Sequence, residues 1–139
     1  MKENQKTFVV VPFKGIGDLS FGMKREAVRK IMGEYRVFPK DPYAENSSDS
    51  FYEGEFSCYY DKEDRLYGVI VSNEFEIKLE DKVILPISEK KFAAMFEDAV
   101  LNYDGEDMTW VKSVGLTAYN YDGEVSSLTI GTNEFYSGV

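Results

Sequence analysis

Two segments of this 139-residue chain resemble each other, and that internal likeness restricts the fold more than any other feature. Residues 19–32 align with residues 83–96 at an offset of 64, and apolar side chains coincide at most positions that would face a core. Further along, residues 59–71 align with residues 120–130 at an offset near 60. Each half, 7–79 and 80–139, is therefore predicted to contain a strand, a helix, an irregular loop and a hairpin. A chance recurrence of helix and strand periodicities is the alternative.

Two amphipathic helices are predicted, one in each half. The first places an apolar stripe along residues 23–32 and ends at Gly33. Its solvent-exposed side is predicted to carry four bases: Lys24, Arg25, Arg29 and Lys30. The second helix begins after Ser88, whose hydroxyl suits an N-cap, and its stripe continues from Phe92 to Val100.

The remaining patterns predict strands. Alternating or apolar segments at 51–60, 66–71 and 74–80 form one group, and 110–121 with 125–130 form a hairpin turned by Asp122-Gly123. The resulting expectation is a single α+β domain over residues 1–139, with an antiparallel sheet and two helices packed on one of its faces. Such a sheet leaves its other face open to water or to a partner.

The net charge of −9 is unevenly distributed. Residues 1–40 carry a local charge of +5, whereas residues 41–139 carry −14. A field of that sign repels nucleic acids and anionic membranes and attracts basic partners, so neither nucleic acid nor membrane is an expected partner. Solubility alone is the competing explanation of the acidic charge.

The residue types argue against catalysis. The chain has no histidine, which removes the common triads and most catalytic zinc sites. Its one cysteine, Cys58, lies in a predicted strand and is expected to be a buried, inert thiol. The Gly15-Ile16-Gly17 turn lacks the third glycine of a dinucleotide-binding loop. No enzyme activity, metal or cofactor is therefore predicted.

The sequence also bears on location. No apolar run reaches the roughly 20 residues that cross a bilayer. The apolar run near the start is too short for the core of a signal peptide, so no signal peptide is expected. With one cysteine the chain can form no internal disulfide, which suits a reducing compartment. A cytoplasmic location is therefore expected.

Acidic residues lie among aromatic residues in the stretch 41–56, and a second acidic run over 97–107 ends near Trp110. Aromatic anchors surrounded by charges are typical of protein-binding surfaces. The other interpretation is that the aromatic residues belong to the core and the acids are merely exposed. The predicted partner-binding residues are Asp41, Tyr43, Glu45, Asp49, Tyr52, Glu53, Glu55, Glu97, Asp98, Asp104, Glu106, Asp107 and Trp110.

The opening GIGDLSFGMKREAVRKIMG (residues 15–33) and the hairpin YYDKEDRLYGVIV (residues 59–71) suggest a family. In size, charge and pattern the chain resembles the immunity proteins of polymorphic and contact-dependent toxin systems. That resemblance implies a cytoplasmic inhibitor that binds a basic toxin domain, often a nuclease, and covers or distorts its active site.

The same segments are also similar to small envelope-assembly adaptors, but the lipidated N-terminal cysteine of those adaptors is missing. The alternative function is a small adaptor or ligand-binding domain that acts through its exposed sheet face.

Overall fold

A computed structural model describes residues 6–42 and 44–137. Its helices are α1 (Arg25–Met32), α2 (Glu89–Ala94) and α3 (Asn133–Ser137), and single 3₁₀ turns cover Tyr52–Gly54, Tyr103–Gly105 and Lys112–Val114. Its strands are β1 (Thr7–Val11), β2 (Gly15–Ile16), β3 (Leu19–Ser20), β4 (Arg36–Phe38), β5 (Ser48–Phe51), β6 (Phe56–Tyr60), β7 (Leu66–Ser72), β8 (Glu76–Leu79), β9 (Lys82–Leu85), β10 (Val100–Leu101), β11 (Met108–Val111), β12 (Leu116–Tyr121) and β13 (Glu124–Gly131).

The strands form two sheets. One has five strands in the order β3-β2-β1-β8-β9, with β1 and β8 parallel. The other has eight strands in the order β10-β11-β12-β13-β7-β6-β5-β4 and is antiparallel throughout. Buried apolar side chains from both sheets make one core, which Val28 of α1 and Phe92 of α2 complete.

The predicted α+β class, with two helices covering one face of a single sheet, is wrong. The described chain is mainly β, and its three α-helices have only eight, six and five residues. The second helix ends at Ala94, although its apolar stripe was predicted to continue to Val100. Val100 lies in strand β10 instead. Short apolar runs fit a helix or a strand equally well, so periodicity alone could not separate them.

The eight-stranded sheet consists of two four-stranded halves with the same register. Ser48 pairs with Tyr59 between β5 and β6, and Met108 pairs with Tyr119 between β11 and β12, an offset of 60 in both strands. A register shift follows Tyr59 in the first half and Tyr119 in the second. The halves therefore share their hairpin geometry as well as their strand order.

The helices attach to the hairpins in the same way in both halves. Lys24, before α1, bridges to Arg65, and Ser88, before α2, bridges to Glu124. The amide after each of these residues donates to the turn of the hairpin, from Arg25 in the first half and from Glu89 in the second. The two residues before α1 and α2 are 64 apart, which is the offset of the two helix sequences.

One row of cross-strand partners crosses all eight strands on the face away from the core. From one edge to the other it contains Arg36, Ser50, Ser57, Ile70, Thr129, Thr117, Trp110 and Val100. We call this face the outer face, since the residues next to the row on β6, β7, β13 and β12 point to the core.

The helix α3 covers part of the outer face. Phe135 lies over two glycines that pair across the centre of the sheet, Gly68 and Gly131. A Cβ atom at Gly68 would come within 2.7 Å of the Phe135 ring, and one at Gly131 within 2.5 Å. The ring also contacts Tyr59 and Tyr67, with centroids 5.8 Å and 5.0 Å away. A side chain at either position would collide with the Phe135 ring, so both positions require glycine.

Candidate protein-binding surface

A group of large side chains lies on the outer face where β10, β11 and β12 meet. Trp110 pairs across the sheet with Val100, and Met108 pairs with Tyr119. The ring of Tyr103 contacts Trp110 with centroids 4.5 Å apart. Val100, Tyr119 and Tyr103 are 47%, 41% and 37% exposed. We call these five residues the β10–β12 patch.

Carboxylates flank the β10–β12 patch in the chain. Residues 92–111 contain no lysine or arginine and include five acids: Glu97, Asp98, Asp104, Glu106 and Asp107. All are exposed except Asp104, whose side chain lies outside the described residues. Asp98 accepts from the Ser113 amide and hydroxyl, both at 2.9 Å, and these two bonds hold its pKa below the ordinary value. The second predicted stretch thus combines aromatic residues with exposed negative charge.

The corresponding positions of the first half carry different residues. Ser48 occupies the position of Met108, and Ser50 occupies that of Trp110, in the same strand register. Arg36 occupies the position of Val100 at the opposite edge of the sheet. Because the first half forms this pairing with serines, the sheet does not need large side chains at 108 and 110.

The first predicted stretch does not form one surface. Asp49 is fully buried, so it is unavailable to a partner and leaves the predicted binding set. Glu45 accepts from the backbone amide of Lys62 at 3.1 Å, and Asp41 accepts from that of Ala44 at 2.9 Å. Tyr43 lies outside the described residues.

The other members of that stretch lie at the β5–β6 corner. Glu53 is exposed, and Glu55 is partly exposed after the 3₁₀ turn. Tyr52 is 36% exposed, and its ring packs edge-on against Phe75 of the core with centroids 5.2 Å apart. Tyr52 is therefore mainly a packing residue.

Asp49 binds three side chains in the interior. Its carboxylate accepts from Arg25 at 3.2 Å, from two nitrogens of Arg29 at 2.8 Å, and from the Tyr60 hydroxyl at 2.9 Å. The hydrogen bond to Asp49 raises the pKa of Arg29, and burial raises that of Tyr60. Arg25, predicted to be exposed, also binds Asp64 at 2.8 Å. This cluster fixes α1 to the eight-stranded sheet.

Sequence reasoning missed an open groove of about 700 Å³ beside β4. Its lining residues are Met32, Glu34, Tyr35, Arg36, Ser50, Tyr52, Glu53 and Gly54. Three consecutive residues in its wall have positive φ, namely Tyr52 (53°), Glu53 (56°) and Gly54 (95°). Only glycine favours a positive φ, so the residue types of Tyr52 and Glu53 do not predict this turn.

The one cysteine and the acidic side chains are the groups that could take part in covalent or metal chemistry. Burial raises the pKa of the Cys58 thiol, and the nearby Asp49 charge raises it further. Within the described ranges, no three Asp, Glu or Cys side chains are placed to hold a metal ion. No helix in the described part of the chain is long and apolar enough to cross a membrane. Comparison with protein-family models, with curated proteins and with solved structures finds no match.

Proposed function

We propose that this chain is an inhibitor of the immunity type, which binds a basic toxin domain through the β10–β12 patch and neutralises it. The observation that carries the proposal is the difference between the halves. The fold places Ser48 and Ser50 on the outer face of one half and puts Met108 and Trp110, both partly exposed, at the same positions of the other. Large apolar side chains that the sheet does not need are well explained by a partner that covers them.

The chemistry of the patch favours a basic partner. A tryptophan whose ring packs against a tyrosine at a tilt of 50° offers a large contact area at low entropic cost, as binding hot spots do. The acids of residues 97–107 would steer a positively charged partner and fix its register. A nuclease cleft is positive because it binds phosphates, so it is the toxin class that fits best. In this proposal the chain acts in the cytoplasm.

The proposal is tested on a candidate toxin domain encoded next to the gene of this chain. Trp110→Ser introduces the residue that the first half has at the same position, so the variant should fold. We expect it to weaken binding by about 2 kcal/mol or more, roughly 30-fold, in titration calorimetry, and to abolish protection of cells that express the toxin domain.

A matched pair of valines supplies the control. Val100 in the patch and Val9 on the five-stranded sheet are 47% and 46% exposed. Val100→Ser should weaken toxin binding, whereas Val9→Ser should leave it unchanged. Equal effects of the two changes, or full binding by Trp110→Ser, would show that the β10–β12 patch is not the contact surface. If the domain encoded by the neighbouring gene is not toxic and does not bind this chain, the proposed inhibitor function is wrong.

A further inference from the structure

The two edges of the eight-stranded sheet are both exposed and apolar. β4 and β10 are its terminal strands, and no other strand in the described part of the chain pairs with their free sides. At the β4 edge, Tyr35, Val37 and Phe38 are 45%, 52% and 47% exposed, and Leu101 of β10 is 52% exposed. An edge strand offers unpaired amides and carbonyls to another chain unless charge, shape or proline prevents pairing. Pro39 has no amide hydrogen, so the continuous run of backbone donors at the β4 edge ends at Phe38.

Charge prevents self-pairing at one edge only. Around β10 the ionisable side chains are all acidic, so two copies joined there would bring Asp98 and its neighbours together. The β4 edge, residues 34–40, contains Glu34, Arg36 and Lys40, all exposed. If two β4 strands pair antiparallel about Val37, Glu34 of each copy faces Lys40 of the other. The β4 edge is therefore complementary to itself.

We propose that two copies of this chain form a dimer by antiparallel pairing of their β4 edges about a two-fold axis at Val37. This pairing sets Val37 against Val37, and it places Phe38 of each copy beside Arg36 of the other. Arg36 lines the 700 Å³ groove, which gives the incoming side chain room. The arrangement is closed, since each copy uses its β4 edge once.

The dimer is independent of the inhibitor function. The β10–β12 patch lies at the opposite edge of the sheet, so each copy in the dimer keeps its patch exposed. β4 has only three residues, and the contact is correspondingly small. We therefore expect weak association, with a dissociation constant on the order of 10⁻⁵–10⁻⁴ M.

Sedimentation velocity of the full chain over a range of concentrations measures the association. Lys40→Glu replaces two attractive pairs by two repulsive ones and should weaken dimerisation about tenfold. The double variant Glu34→Lys with Lys40→Glu exchanges the charges and should restore it to within about threefold. A chain that stays monomeric up to about 1 mM, far above the expected constant, would overturn the proposal.

Disulfide trapping tests the register with a matched control. Val37→Cys puts two thiols on the proposed two-fold axis, within the Cβ separation of facing residues in a sheet. The control is Leu101→Cys, at the position of β10 that corresponds to Val37 and with the same 52% exposure. Cys58 is buried and will not interfere. We expect rapid covalent dimers from Val37→Cys only; equal yields from both variants, or more from Leu101→Cys, would refute β4 pairing.

Discussion

Replacing Asp49 by asparagine should destabilise the fold more than any other single polar change within its buried cluster. The side chain keeps its size but loses its charge, while Arg25 remains buried with 9% of its side chain exposed. Removing one partner of a buried ion pair costs about 3–5 kcal/mol. We expect the lower end, about 3 kcal/mol, because Arg25 keeps its bond to Asp64 and a quarter of the Arg29 side chain is exposed.

Urea unfolding followed by circular dichroism measures this loss, and thermal unfolding should show a midpoint about 10 °C lower. The control is Thr109→Val, because Thr109 of β11 has the position of Asp49 and accepts from Asn120 at 3.1 Å. Losing that neutral bond should cost about 1 kcal/mol. If Asp49→Asn costs no more than Thr109→Val, the buried charges do not hold α1 to the sheet.

Three further outcomes are expected. Gly131→Ala should cost about 1–3 kcal/mol because its methyl group meets the Phe135 ring, and the cost should fall below about 0.5 kcal/mol in a Phe135→Ala background; an unchanged cost would contradict the contact. Asp98, whose pKa the Ser113 bonds lower, should stabilise the fold above its unfolded-state pKa and lose this contribution as pH falls through its folded-state pKa. Ser113→Ala removes the hydroxyl bond and keeps the amide bond, so it should raise the Asp98 pKa in an NMR titration, and no change would count against the hydroxyl bond. The Cys58 thiol, whose pKa burial raises, should resist thiol reagents in the native protein and react in urea; fast native labelling would show that the site opens.

Local signals in the sequence predicted local structure correctly. The Ser88 hydroxyl accepts from the Lys91 amide at 3.2 Å, which confirms the N-cap. Asp122 and Gly123 both have positive φ, as the predicted hairpin turn requires, and β12 pairs with β13 across it. These features depend on a few neighbouring residues, so no information from distant parts of the chain was needed.

Apart from the second helix, which was predicted too long, the errors concern contacts between distant residues. β1 pairs in parallel with β8 almost 70 residues later, and two-residue strands such as β2 have no periodicity to detect. Arg25 looked solvent-exposed because charged residues usually are, but Asp49, 24 residues away, supplies a buried partner. A pattern within one element cannot show which distant residue will compensate a buried charge. The number of sheets and the loss of Asp49 from the binding set both follow from such contacts.

Comparing equivalent positions in the two halves of the eight-stranded sheet distinguishes residues that the fold requires from residues that it only accommodates. On the inner side, the Tyr60–Asp49 bond corresponds to the Asn120–Thr109 bond, so the residues differ but a hydrogen bond is kept. On the outer side, Trp110 stands where the other half has a serine, and the strand pairing is the same in both. A difference that preserves a contact has a structural reason. A large, partly exposed side chain at a position where the other half has a serine needs another one. For Trp110 the proposed reason is a partner that covers it.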